Sequence, residues 1–279
     1  MVIFIYTGGN MNFKDKVVVL TGAGNGIGRQ VTLDLLAKGA FVAGIDISKE
    51  GMEETKKLAG DLGKHFSIHP MSITDKEAVA ALPELVIKEH GRIDGLLNVA
   101  GIIQPFVYIN DLDFDKIERV MNVNFYGTLY LIKATLPYLL QSKEEAFIGN
   151  VSSMGGFLPV PGQGIYGASK AAVKLMTESL YAELKDTNVR VSIIFPGGVA
   201  TNITANSGVK LDLPQKTGKP AKQYKMLSVE KASEIIIKGL EKEKFRIVVG
   251  SDARAMDKIY RLNPKFAVDL ITKKMKDLL

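Results

Sequence analysis

Short, nearly uninterrupted apolar runs recur along this chain, with longer helix-forming stretches between nearly all of them. They are KVVVLT (16–21), FVAGID (41–46), HFSIHPM (65–71), IDGLLNVA (93–100), AFIGNVS (146–152), VRVSIIFP (189–196) and FRIVVG (245–250). A strand with one wet face alternates apolar and polar residues, because successive side chains point to opposite faces. These runs do not alternate, so both faces must be covered, as in a parallel sheet wrapped by helices. The intervening helices supply the crossovers that parallel strands need, and right-handed crossovers follow. The pattern therefore predicts an α/β fold built on a doubly wound parallel sheet. A chain of 279 residues, 46% hydrophobic, is long enough to bury a full core, and neither a linker nor a repeat divides it.

We expect an N-terminal extension over residues 1–11, a dinucleotide-fold domain over 12–250, and a helical extension of the same domain over 251–279. The start, MVIFIYTGGNM, has five apolar residues in a row and no basic flank, too little for a signal peptide or a membrane span. VIFIY could instead add a strand to the sheet edge. Residues 199–227, VATNITANSGVKLDLPQKTGKPAKQYKML, break the rhythm just after a strand's carboxyl end, where open α/β sheets bind ligands. Asn263 and Pro264 split the tail into two helices, because proline suits a first turn and not an interior. Each carries an apolar stripe: Ala255, Met256, Ile259 and Leu262 in one, Ala267, Leu270, Ile271, Met275 and Leu278 in the other. Lys258, Arg261, Lys265, Lys273, Lys274 and Lys276 make the tail basic, so it could cover protein or rest on an anionic membrane surface. Short stripes and the absence of tryptophan favour packing against the body.

Several function classes fall away on composition. With no cysteine there is no disulfide framework, thiolate nucleophile or cysteine metal site, and His65, His69 and His90 do not suggest a metal cluster. A reducing, cytoplasmic setting suits such a chain. The net charge of +6 is not a general basic face: residues 1–209 hold 19 basic and 21 acidic groups, residues 210–279 hold 17 and 9. No aromatic and basic interleaving accompanies the excess, so a nucleic-acid partner is not expected.

The first run leads into TGAGNGIG (21–28) and then a helical stretch. Glycines there let the backbone approach a pyrophosphate at a helix N-terminus, where unpaired N–H groups favour an anion. The spacing is G-x-x-x-G-x-G, at Gly22, Gly26 and Gly28. The second run ends in Asp46, eighteen residues past Gly28, where a carboxylate can bind adenosine ribose hydroxyls and repel a 2′-phosphate. No Arg or Lys stands at 23–25 or 47, which favours NAD over NADP; Lys49 is the nearby cation that weakens this. Further on, GIYGASKAAV places Tyr166 four residues before Lys170, on one helix face. That spacing alone means nothing, since Tyr181 and Lys185 share it.

TGAGNGIG, NVAG at 98–101, Asn124 in NVNFYG, Ser153 in NVSSMGG, YGASK at 166–170 and PGGVAT at 196–201 give the pair its context. In order and spacing, from about residue 12 to 250, they resemble the short-chain dehydrogenase/reductase family. Ser153 matches the family's serine, thirteen residues before Tyr166; thirteen before Tyr181 stands Ala168. The resemblance implies a seven-stranded Rossmann-type sheet of order 3-2-1-4-5-6-7 and a catalytic set of Asn124, Ser153, Tyr166 and Lys170. It implies cofactor contacts from Gly22, Asn25, Gly26, Ile27, Gly28, Asp46, Ser72, Asn98, Ala100, Gly101, Tyr166, Lys170, Pro196, Gly197, Val199 and Thr201. Two departures stand out: Val99 where the family more often has a second Asn, and Ser72 where it usually has Asp against the adenine.

The implied reaction passes hydride between NAD(H) and a small to medium, largely apolar secondary alcohol or ketone. Tyr166 would exchange the substrate proton, Ser153 hydrogen-bond the substrate oxygen, Lys170 hold the nicotinamide ribose, and Asn124 position a water on the proton path. Working near neutral pH requires the tyrosine pKa to fall by roughly three, about 4 kcal/mol in favour of phenolate. Lys170 and the positive nicotinamide ring would supply that. Ile102, Ile103, Gln104, Phe106, Met154, Phe157, Val160 and Pro161 are the expected substrate-pocket residues. A homotetramer or homodimer, joined through helices near 115–140 and 165–185, is implied as well. The alternatives are a non-catalytic NAD-bound redox sensor or scaffold, or the same enzyme working at a membrane surface.

Overall fold

The structure, a computed structural model, describes residues 10–209 and 226–275. The VIFIY segment, residues 210–225 of the irregular stretch, and Lys276 and Leu278 of the tail lie outside the described residues. Strands and helices alternate: β1 (Val17–Thr21), α1 (Gly26–Ala37), β2 (Phe41–Asp46), α2 (Lys49–Leu58), β3 (Phe66–Pro70), α3 (Lys76–His90), β4 (Gly95–Asn98), α4 (Phe114–Met121) and α5 (Thr128–Gln141). Then follow β5 (Ala146–Val151), α6 (Gly164–Glu183), β6 (Val189–Pro196), α7 (Ile203–Asn206), α8 (Val229–Glu241), β7 (Arg246–Val249), α9 (Ser251–Leu262) and α10 (Pro264–Met275).

The strands form one parallel sheet of order β3-β2-β1-β4-β5-β6-β7, the expected topology. Its two faces explain the unbroken hydrophobicity. Val18 and Leu20 pack with Val31, Leu35 and Ile236 beneath α1 and α8, while Val17 and Val19 pack on the other side with Val79, Leu82 and Leu131 of α3 and α5. All of these are buried, and each contributes about 1.5–3 kcal/mol as it leaves water. β1 has β2 on one side and β4 on the other, so the chain winds outward in both directions from it. The crevice at the carboxyl ends of β1 and β4 is the switch point where such sheets bind ligands.

Both chain ends are tied to the body. Met11 is buried in the core and donates its N–H to the Glu241 carbonyl at 2.8 Å. The tail is two helices broken at Asn263, whose side chain accepts the Phe266 N–H. Met256, Ala267 and Ile271 close over Leu158, with Met154, Phe157 and Val160 alongside. No described helix is long and apolar enough to cross a membrane.

Candidate active site

An open cleft of about 1020 Å³ runs across the carboxyl ends of the strands. Gly22, Asn25, Gly26, Ile27, Gly28, Asp46, Ser72, Ala100, Gly101, Pro196, Gly197, Val199 and Thr201 line it, together with Ser153, Tyr166 and Lys170. Asn98 and Asn124, expected there too, lie beneath its surface.

The floor is the turn between β1 and α1. Asn25 caps α1, its side-chain oxygen accepting the Gly26 N–H at 2.6 Å. A Cβ on Gly28 would collide with the Gly22 carbonyl, so only glycine lets the helix start this close to the strand. Thr21 fastens the neighbouring turn: its hydroxyl accepts the N–H groups of Val99 and Ala100 at 2.9 and 3.0 Å. Asp46 is already oriented, one carboxylate oxygen accepting the Gly24 N–H and the other the Ser48 N–H, each at 3.0 Å. Arg29, a cation that the sequence reading overlooked, is turned away from the cleft. Its guanidinium donates to the Gly24 carbonyl, Thr55 and Glu54. Lys49 is exposed and paired with Glu53. Ser72 hydrogen-bonds Thr74 and remains on the cleft wall.

The reactive end joins the close of β5 to the start of α6. Ser153 holds its hydroxyl against the Gly155 N–H at 3.0 Å and hydrogen-bonds Tyr166. Lys170 is buried and donates to the Val151 carbonyl at 2.9 Å. Burial pushes its ammonium down to about 8. Burial also pushes the Tyr166 phenol up from its ordinary value, and the Ser153 hydrogen bond opposes this only in part. The depression expected for Tyr166 is therefore not supplied by the protein side chains, because desolvation outweighs the one hydrogen bond that favours the phenolate.

Five expected site residues do other work. Asn98 donates to Asn150 across the sheet at 2.8 Å, and Asn150 donates to Thr177. The Asn124 amide is fully engaged: it accepts the Ile102 N–H, donates to the Ile102 carbonyl and to Ser169, and sits in a π-helical turn (Asn122–Gly127) between α4 and α5. Gln104 is completely buried and bonded to the start of α6, so it does not line the cleft. Met154 and Phe157 face the tail helices and Phe195 rather than the cleft. Of the apolar candidates, Ile102 and Ile103 do line it. Tyr181 stacks on Phe245 far along α6.

One further residue ties the tail to the site. Asp252, in the first turn of α9, accepts the Gly198 N–H at 2.7 Å, and a Cβ on Gly197 would strike its carboxylate. No local pattern marks it, because its partner is a backbone group 54 residues away. Among the described residues no cluster of His, Cys, Asp and Glu could hold a metal ion.

A glycine-floored cleft at the switch point, with a serine, a tyrosine and a lysine converging at one end, is the architecture of a dehydrogenase, and the chain belongs to the short-chain dehydrogenase/reductase family. The short chain dehydrogenase family model matches residues 16–211. Among its relatives is SadH of Mycobacterium tuberculosis, named as an oxidoreductase, 35% identical over 258 residues that cover 90% of this chain and 92% of that protein. Another is the 3-oxoacyl-(acyl-carrier-protein) reductase FabG of Thermotoga maritima, 35% identical over 211 residues, 76% of this chain and 82% of that one. In fold it is similar to a short-chain dehydrogenase/reductase of Burkholderia phymatum in complex with NAD, with a TM-score of 0.82 and 23% identity over 92% of this chain and 96% of that one. A short-chain dehydrogenase of Burkholderia cenocepacia in complex with NADP gives 0.76 and 26% over 94% and 99%.

Proposed function

We propose that the protein is an NAD-dependent oxidoreductase acting on a small to medium, largely apolar secondary alcohol or ketone. The observation that carries this reading is the convergence of Ser153, Tyr166 and Lys170 on the cleft whose floor is the glycine turn. The residues present fit a nicotinamide dinucleotide. Gly28 opens the helix N-terminus to a pyrophosphate, and Asp46 offers a pre-set carboxylate to ribose hydroxyls. The same carboxylate, with Arg29 committed to Gly24 and Glu54, favours NAD over NADP.

When bound, the cofactor supplies the hydride acceptor or donor and a positive charge in its oxidised form. The protein's part is to place the substrate oxygen and move its proton. The Ser153 hydroxyl donates to that oxygen. Tyr166 takes the proton in oxidation and returns it in reduction. Its phenol is raised by burial, so a cation beside it is needed to bring it into working range. Lys170 holds the ribose side of the cleft floor, and Asn124 keeps the Ile102 backbone in place. Ile102 and Ile103 give the substrate end its apolar character.

The same reading includes a homo-oligomer. Leu140 of α5 and Leu175 and Tyr181 of α6 are exposed, with Leu175 at 67%, on the two helices that the family resemblance assigns to subunit contacts. A cytoplasmic setting goes with it. A panel of secondary alcohols and ketones, assayed for formation or consumption of reduced nicotinamide with NAD and NADP, tests the reading. Turnover of none of them, or equal efficiency with both cofactors, would refute the corresponding part.

A further inference from the structure

The helix that carries Tyr166 and Lys170 begins without a cap of its own. Gln163 occupies the capping position of α6, yet its side chain makes no capping bond there. Serine, threonine, aspartate and asparagine are the usual caps, because their short side chains reach the first unpaired N–H groups. Here those groups are satisfied from elsewhere. The side-chain oxygen of Gln104 accepts the Ile165 N–H at 2.8 Å and the N–H of Tyr166 itself at 2.9 Å.

The rest of Gln104 is equally committed. Its amide nitrogen donates to the Gly162 carbonyl at 3.0 Å, and its own carbonyl accepts from the Gln163 side chain at 2.8 Å. Gln104 is wholly buried and Gln163 nearly so. Four hydrogen bonds therefore join residue 104 to residues 162–166. The segment that carries Gln104 is the continuation of the cofactor turn: Ala100 and Gly101 line the cleft, Ile102 is gripped by Asn124, and Ile103 donates to Ser207. A Cβ on Gly101 would lie about 3.0 Å from the Lys170 ammonium.

From this the geometry points to Gln104 as a positioning residue for the reaction, a cap in trans that fixes Tyr166 relative to the cofactor turn. This rests on the assignment of Tyr166 as the proton-exchanging group. Gln104 touches neither cleft nor substrate, so it acts through the backbone of Tyr166. The neutrality of the cap has its own consequence. A carboxylate would satisfy the same donors, but its charge at the Tyr166 backbone would disfavour the phenolate of that residue.

Two substitutions separate positioning from simple folding support. Gln104→Met keeps the length of the side chain and removes acceptor and donor. Gln104→Glu keeps an oxygen for Ile165 and Tyr166 and loses the donor to Gly162. With the intact protein, Gln104→Met is expected to lower kcat about ten- to a hundredfold while KM for NAD and NADH binding, read by nucleotide fluorescence, stay within about twofold. Gln104→Glu is expected to recover most of that rate at alkaline pH, with the rise of alcohol oxidation displaced to higher pH. Independently of turnover, in protein with 13C-labelled tyrosine rings, the Tyr166 resonance, assigned by its loss in Tyr166→Phe, should move in Gln104→Met while the other tyrosine resonances hold.

Wild-type kcat and an unmoved Tyr166 resonance in Gln104→Met would overturn the inference. So would equal loss in both variants in step with melting temperature and an unshifted pH profile. If the wild type transferred no hydride but the Tyr166 resonance responded as stated, the positioning would stand and the assigned reaction would fall.

Discussion

Tyr166 and Tyr181 are the same residue type on the same helix, each with a lysine four residues on, and their surroundings separate them. Tyr166 is half-buried on the cleft wall beside Ser153, whereas Tyr181 is 40% exposed and stacks on Phe245. Tyr166→Phe should lower turnover by about 10²–10⁴-fold, the range of general acid–base catalysis, with NADH binding retained. Tyr181→Phe should leave turnover near the wild-type value, and equal losses in the two variants would contradict the assignment. Asp46→Ala should narrow the preference for NAD in steady-state assays, since it removes the carboxylate that would repel a 2′-phosphate. Residues that face the cleft were legible in the sequence because the glycine turn and the serine–tyrosine–lysine order are local patterns. Gln104, Asn98 and Asn124 were placed near the site without their true partners being visible. Each bonds to groups far away in sequence, and only packing brings those groups together.

All seven strands were legible: the inner ones carry the unbroken apolar signature of burial on both faces, and the partly buried edge strands β3 and β7 fall into the same strand and helix alternation. The tail helices were legible for a related reason: Pro264 fixes the break, and each stripe has helical spacing. What the stripes cover was not, since Leu158 and Met154 sit about a hundred residues earlier in the chain. Met256→Ala should cost about 2–5 kcal/mol by opening a cavity against Leu158, read as a lower urea midpoint. A second prediction concerns β3 and α3. Ser67 bridges the imidazoles of His69 and His90 at 2.9 and 2.7 Å, and burial holds both below their ordinary pKa, with Glu89 opposing. The folded state therefore binds fewer protons than the unfolded chain below about pH 6.5, so stability should fall as pH drops through that value. Melting temperature measured from neutral to mildly acidic pH should decline, and His90→Gln should flatten the decline.

Charge and exposed apolar surface decide how the entire molecule behaves. The excess of basic groups sits in the last quarter of the chain, where Arg246 and Arg261 both pair with Asp257, and Lys265 pairs with Asp269. Those pairs tie three of its cations to the tail helices. Exposed Leu175 lies on the helix that carries Tyr166 and Lys170, so an assembly through α6 would also steady those two residues. Leu175→Glu should shift the light-scattering mass toward the 30.4 kDa of a single chain; an unchanged mass would place the contact elsewhere or leave the protein a monomer. The proposed function depends on one site, built where β1 and β4 part, passing hydride and proton together. The decisive assay follows reduced nicotinamide absorbance for wild type and Tyr166→Phe on the same panel of secondary alcohols and ketones. The account predicts that the wild type turns over at least one of them, faster with NAD than with NADP, and that Tyr166→Phe binds NADH yet turns over none. Activity in Tyr166→Phe matching the wild type, or no hydride transfer by the wild type to any compound of the panel, would contradict it.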